Sequence, residues 1–161
     1  MDPVPSFYEN DSTPSGGTII NSGNQVAFGS ATKGSVAAPT RSGQTPFHLW
    51  NDKNGGSAKT MKSVTLTVKD SSGGNTGQFI SGTSMNSNKP FFEMRSQGSS
   101  GCPDDAQASF KPVGGTIALA IGDIPPNSRR SIYVQCNVPA DATSGAGLLA
   151  GQIVVDYSFD A

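Results

Sequence analysis

Apolar residues recur at every second position in several stretches of the chain. Neighbouring residues of a β-strand point to opposite faces, so this period of two is typical of half-buried strands, and the many β-branched side chains favour the same structure. Shorter strands are expected at 46–50, 78–80 and 90–95. The predicted longer strands contain Val26 and Phe28; Val64, Leu66 and Val68; Ile117, Leu119 and Ile121; Ile132, Val134, Cys136 and Val138; and Ile153, Val155, Tyr157 and Phe159.

Clusters of glycine, proline and asparagine separate these strands and predict turns. No window of helical length carries apolar residues at i, i+3, i+4 and i+7, although one short helical turn is expected near 103–109. The pattern therefore predicts an all-β fold, a β-sandwich of seven to eight strands. The turn signals are Asn54-Gly55-Gly56, Ser72-Gly73-Gly74, Gly114-Gly115 and Pro125-Pro126-Asn127.

The first 17 residues differ from the rest of the chain because they contain three prolines and lack apolar periodicity. We expect residues 1–17 to form an extended N-terminal arm outside the core, and residues 18–161 to form the sandwich. Phe7 and Tyr8 are expected to anchor this arm on its own domain or on a neighbouring subunit. The stretch 70–115 is poor in apolar residues, which predicts long loops with short strands and an interaction surface.

Charge and composition narrow the possible partners. Lys and Arg total 11 and Asp and Glu total 12, and a net charge of -1 provides no field that would attract nucleic acid or anionic lipid. Only 14% of residues are charged, which argues against a disordered chain. No apolar run is long enough to span a membrane, and the N-terminus has no basic segment followed by an apolar one, so no signal peptide is expected.

The candidate chemical groups indicate a protein without catalytic activity, cofactor or metal. His48 is the only histidine, so every serine or cysteine nucleophile would depend on it, and a structural role in a strand is expected instead. Asp104 and Asp105 are adjacent and should point apart, which does not suit paired-carboxylate catalysis. The segment 52–55 has part of a calcium-loop pattern but lacks the remaining oxygen ligands.

Two cysteines and a few aromatic and basic residues leave alternatives open. Cys102 and Cys136 are either a disulfide or two thiols, and with one histidine they do not make a zinc site. Arg129 and Arg130 form a small basic spot, which is either solvated or in contact with an acidic partner. Four aromatic residues are candidates for a sugar-binding platform, although the largest is expected in the core: Trp50, Phe91, Phe92 and Tyr133.

The C-terminal third, roughly residues 116–160, resembles immunoglobulin-like modules of bacterial and phage structural proteins. The segment Phe47–Lys53 resembles strand-turn segments of virion accessory domains. Trp50 precedes both cysteines, so the Cys…Trp…Cys order of true immunoglobulin domains is absent and the resemblance implies the sandwich architecture alone. The matching motifs are Ile117–Ile121, Ile124-Pro125-Pro126-Asn127-Ser128, Ile132–Pro139, Ala140–Gly145 and Ile153–Phe159.

This resemblance implies a virion structural protein, such as a phage head-decoration (cement) protein or a tail or baseplate accessory protein. Its expected partners are other virion or fibre subunits, in a homo-oligomer or array, and its expected location is the virion, assembled in the host cytoplasm. Attachment would use the arm and a sheet edge, with contacts from Phe7, Tyr8, Arg129 and Arg130. The alternatives are a carbohydrate-binding or adhesin domain on the extracellular surface of a bacterium, and a pilus-like fibre subunit.

Overall fold

A computed structural model describes residues 1–9, 17–21, 40–41, 45–53, 55–56, 59–82, 89–97, 110–138, 140–142 and 151–161. These residues are nearly all β, which confirms the predicted class. The predictions for Val26 and Phe28, for the helical turn near 103–109 and for Cys102 lie outside the described residues. The elements are β1 (Pro5–Glu9), β2 (Thr18–Ile19), β3 (Thr40–Arg41), β4 (Thr45–Asn51), β5 (Met61–Lys69), α1 (Gln78–Ser81), β6 (Phe92–Gln97), β7 (Lys111–Pro112), β8 (Leu119–Ile124), β9 (Ser128–Val138) and β10 (Gln152–Ser158).

The strands form two antiparallel sheets. The larger has the order β2-β1-β4-β9-β6-β7, and β3 lies beside the C-terminal end of β9. The smaller has the order β10-β5-β8. Strand β9 is central to the larger sheet, since Ile132 lies opposite Phe47 of β4 and Val134 lies opposite Met94 of β6. The long strand at 128–138 therefore joins segments that are far apart in the sequence.

The two sheets enclose the main hydrophobic core. The predicted inward positions Val64, Leu66 and Val68 are buried, as are Ile132 and Val134, so the period-two interpretation is confirmed for β5 and β9. The alternation places Tyr133, Gln135 and Asn137 on the opposite face of β9, and Gln135 is buried there, as is Ser131. The other core side chains are Phe47, Leu49, Met61, Ile80, Phe92, Met94, Val113, Leu119, Ile121 and Ile124.

Irregular backbone on β5 and β8 keeps their apolar side chains on the core side. Met61 and Val64 are both fully buried although they are three positions apart, because the register shifts between them and Ser63 has a φ of 52°. On β8, Gly122 has a φ of 82° in the same part of the ladder. The Ser63 N–H donates to Asp123 Oδ1 at 2.9 Å. These facing irregularities break the simple alternation that the sequence pattern relies on.

The N-terminal segment is part of the larger sheet. Pro5–Glu9 form β1, which pairs with β4 and places Phe7 opposite Leu49. The Phe7 ring meets Phe47 edge-on, with centroids 5.8 Å apart, and packs against the core. The expectation that residues 1–17 lie outside the core is therefore wrong for β1. A five-residue strand has too few apolar positions to show periodicity, and its stability comes from the partner strand.

The weak strand predicted at 78–80 is instead part of the short helix α1. Gly77 and Gly82 flank it with φ values of 106° and 73°, which favour glycine, and the Gly82 N–H donates to Gln78 O at 2.9 Å. Ile80 of this turn is buried in the core. The stretch 70–115 also contains β6, which lies inside the larger sheet between β9 and β7. This part of the chain is therefore more than surface loops.

Candidate binding surfaces

The face of the larger sheet that points away from the core, the outer face, carries aromatic and basic side chains at one end. Trp50 on β4 lies opposite Arg129 on β9, and Tyr8 on β1 lies on the same face of the sheet. The Lys53 ammonium lies 3.9 Å from the Tyr8 ring centroid and 5.5 Å from that of Trp50. The Arg129 guanidinium lies 5.5 Å from the Trp50 ring centroid. These contacts form a cation–π cluster that holds β1, β4 and β9 together.

The four residues predicted as partner contacts do not all lie on the same face of the sheet. Tyr8 and Arg129 lie on the outer face, whereas Phe7 packs into the core. Arg130 Nη2 donates to the carbonyl oxygen of Asp123 at 2.9 Å, so the two arginines do not form one basic spot. Neighbouring strand residues point to opposite faces, which explains both separations. Trp50 is only 5% exposed and therefore does not offer an open ring for a sugar.

The single histidine meets a serine in the middle of the outer face. His48 lies directly opposite Ser131, and its Nδ1 is 3.1 Å from Ser131 Oγ. A serine nucleophile must be reached by its substrate, and Ser131 is fully buried. The pair therefore fits the structural role expected for His48, because each side chain gives the other a hydrogen-bond partner away from water.

The other end of the outer face contains buried polar and charged groups. The Glu93 carboxylate accepts hydrogen bonds from Gln135 Nε2 at 2.6 Å and from Asn137 Nδ2 at 2.9 Å. The Arg95 guanidinium lies near two aromatic rings, 5.1 Å from Phe110 and 5.3 Å from Tyr133. Hydrogen bonds to a carboxylate are stronger than those between neutral groups, so these contacts fix β6 against β9. The alternating pattern of β9 placed Gln135 and Asn137 on the polar face of the strand but did not indicate that Gln135 is buried.

Cys136 lies half-buried on β9, where burial raises the pKa of its thiol from 9.0 to about 11, with a smaller contribution from the negative charge of Glu93. We expect iodoacetamide to alkylate Cys136 of a folded Cys102→Ser variant about 100-fold more slowly at pH 8 than the unfolded chain, because the thiolate is the reactive form. The folded protein binds the Cys136 thiol proton more tightly than the unfolded chain does. The free energy of unfolding should therefore fall as the pH rises from about 9 to 11.

The control for this prediction is Glu93→Gln in the same background. Removing the carboxylate charge should lower the pKa of Cys136 and speed its alkylation at pH 9. Equal rates in the folded and unfolded protein at pH 8 would show that the thiol is not shielded.

The sheet edges formed by the described residues differ in how well they are protected. Strands β2 and β7 have two residues each, and β7 ends in Pro112. Strand β8 carries the register shifts and the positive φ of Gly122. Short strands, proline and bulges all hinder pairing with another chain. Strand β10 has seven residues and one charged side chain, Asp156, and its far edge has no strand partner among the described residues.

Backbone groups on β10 point toward this open edge at alternate residues. The Val68 carbonyl accepts from the Gly115 N–H, on the side of β5 away from β10. Val68 and its opposite residue Ile153 therefore form a non-hydrogen-bonded pair. The N–H and C=O groups of Ile153, and of Val155 two residues later, consequently point to the open edge. The Val154 side chain lies on the opposite sheet face from these two and is partly exposed.

The described part of the chain has neither a metal-binding cluster nor a membrane-spanning helix. It contains no group of three or more His, Cys, Asp or Glu side chains placed to hold a metal ion. Its only helix, α1, has four residues, and none long and apolar enough to cross a membrane is present there.

Comparison with known proteins gave no match to a protein-family model, to a curated protein or to a solved structure. The all-β class thus rests on the strands and registers described above. Two antiparallel sheets around one core are common to several β-sandwich families, so the strand order alone does not identify a family.

Proposed function

We propose that this chain is a structural protein of a virion, a head-decoration or tail accessory subunit, built as an immunoglobulin-like β-sandwich. It attaches to neighbouring subunits through the open edge of β10. The observation that carries the proposal is the contrast between this edge, which is regular from Gln152 to Asp156, and the other described edges, whose strands are short or irregular. An extended segment that adds to an open edge gains main-chain hydrogen bonds without rearranging the sheet.

Charge and burial support a structural role. The net charge of -1 allows many copies to pack side by side, because they repel one another only weakly. Trp50, the best sugar-stacking candidate, is covered, which favours assembly over the adhesin alternative. The His48–Ser131 pair is closed to substrate, which favours a structural role over that of a small hydrolase.

Immunogold electron microscopy tests the proposed location. Antibodies raised against the purified chain should label intact virions from its source at regular positions. Labelling of the bacterial surface in the absence of virions would overturn the proposal in favour of an adhesin. A glycan array that retains the purified protein would point to the same alternative.

The role of the β10 edge is tested by Val154→Lys. A lysine on an edge strand opposes pairing with another strand, so incorporation into particles that lack the protein should fall at least about 10-fold. The control is Val154→Thr, which keeps the β-branched shape without the charge and should incorporate normally. Both variants should melt near the unmodified protein. Equal incorporation of the two would place the attachment elsewhere.

A further inference from the structure

We infer that the strand that adds to β10 is β10 of a second copy, paired antiparallel about a two-fold axis at Val154. This inference rests on the proposed function, because it names the partner of the proposed edge. It joins the two smaller sheets into one continuous six-stranded sheet with the order β8-β5-β10-β10-β5-β8. Identical edges in two copies form such a closed, two-fold contact without any other component.

The register follows from where β10 is regular. Its ladder with β5 is continuous from Gln152 to Asp156, and an irregularity follows before Ser158. A two-fold axis at Val154 pairs Gln152–Asp156 with the same segment of the second copy and uses only this regular part. An axis at Asp156 would place two carboxylates opposite each other, which destabilises a strand pair. An axis at Val155 would bring the irregular position of Tyr157 into the ladder.

The side chains match in this register. Gln152 lies opposite Asp156 of the second copy, and the reverse pair occurs across the axis, so an amide can donate to a carboxylate twice. Gln152 Nε2 already donates to the Ser71 carbonyl at 2.6 Å and has a second N–H for the carboxylate. Ile153 lies opposite Val155 of the second copy, and both pack against the core on the inner side. Their backbone groups point to the open edge and would form the hydrogen bonds of the new ladder.

Disulfide cross-linking tests this arrangement. In a Cys102→Ser, Cys136→Ala background, Val154→Cys places one thiol at the two-fold axis. Directly opposed residues of a non-hydrogen-bonded pair have Cα atoms about 4.5 Å apart, within the range of a disulfide. We expect mild oxidation to give mainly covalent dimer. Asp156→Cys should stay largely monomeric, because its two Cα atoms would lie roughly 14 Å apart, four residues along the strands.

A Ser72→Cys variant, whose thiol lies in an exposed turn, gives the rate of cross-linking by random collision. A Val154→Cys rate no higher than this, together with a monomer in sedimentation equilibrium of the unmodified chain, would overturn self-pairing. Preferential cross-linking of Asp156→Cys would overturn the register. If Val154→Lys blocks incorporation while Val154→Cys does not cross-link, the edge binds a strand of another protein, so only this inference fails. If Val154→Cys cross-links and Val154→Lys incorporates normally, attachment through this edge fails instead.

Discussion

Replacing Phe7 with alanine is expected to lower the free energy of unfolding by about 2–3 kcal/mol. The Phe7 ring is half-buried, meets Phe47 edge-on and packs against the core, so its removal leaves a gap between β1 and the inner side of the sheet. A fully buried phenylalanine costs about 3–5 kcal/mol on truncation, and the partial exposure of Phe7 places it below that range. Urea denaturation followed by circular dichroism measures the change.

The matched control lies in the same segment. Val4 is 52% exposed, so Val4→Ala should change the free energy of unfolding by less than about 0.5 kcal/mol. Deleting residues 2–9 removes β1 altogether and should destabilise the domain more than Phe7→Ala does. If the deletion leaves the unfolding midpoint unchanged, the segment is a dispensable arm and its pairing with β4 is not part of the stable fold.

Val134→Asp is expected to abolish folding, with a loss of more than about 4 kcal/mol. Val134 is fully buried on the central strand, between Thr45 of β4 and Met94 of β6, and no basic side chain is among its strand neighbours. A carboxylate at this position would have to be buried without a counter-charge. The expected observations are insoluble expression, or a soluble chain without a cooperative melting transition.

The same substitution on an outward position distinguishes burial from strand propensity. Val154→Asp lies on β10 with a partly exposed side chain and should cost about 1 kcal/mol while the protein still melts cooperatively. If Val134→Asp melts like Val154→Asp, the inward and outward faces have been exchanged, as a one-residue shift of register would do.

The sequence predicted the all-β class and the inward residues of β5 and β9, because these strands alternate over several residues. It did not predict β1, since the packing of Phe7 depends on a partner strand about 40 positions away. It extended the alternation on β8 to Ile117, which lies in the turn before the strand and is exposed. It missed Ile124, because a bulge changes which residues face inward. Long-range pairing and backbone irregularity leave little trace in local periodicity.

The candidate surfaces were less predictable than the fold. The sequence predicted Phe7 and Tyr8 as neighbouring partner contacts, and likewise Arg129 and Arg130, because they are adjacent along the chain. Adjacent residues of a strand, however, point to opposite faces of the sheet. The cluster of Tyr8, Trp50 and Lys53 depends on the register between β1 and β4, which sequence alone does not provide. The open edge of β10 is a property of strand order.

The central position of β9 has a consequence for the order in which the chain folds during synthesis. Strands β4 and β6 emerge from the ribosome well before β9, which begins at Ser128 and pairs with both. His48 and Ser131, for example, are 83 positions apart. Until β9 has been synthesised, the larger sheet cannot form, and the apolar segments of β4 and β6 stay exposed. We therefore expect slow folding, dominated by non-local contacts, and a nascent chain that depends on chaperones to avoid aggregation.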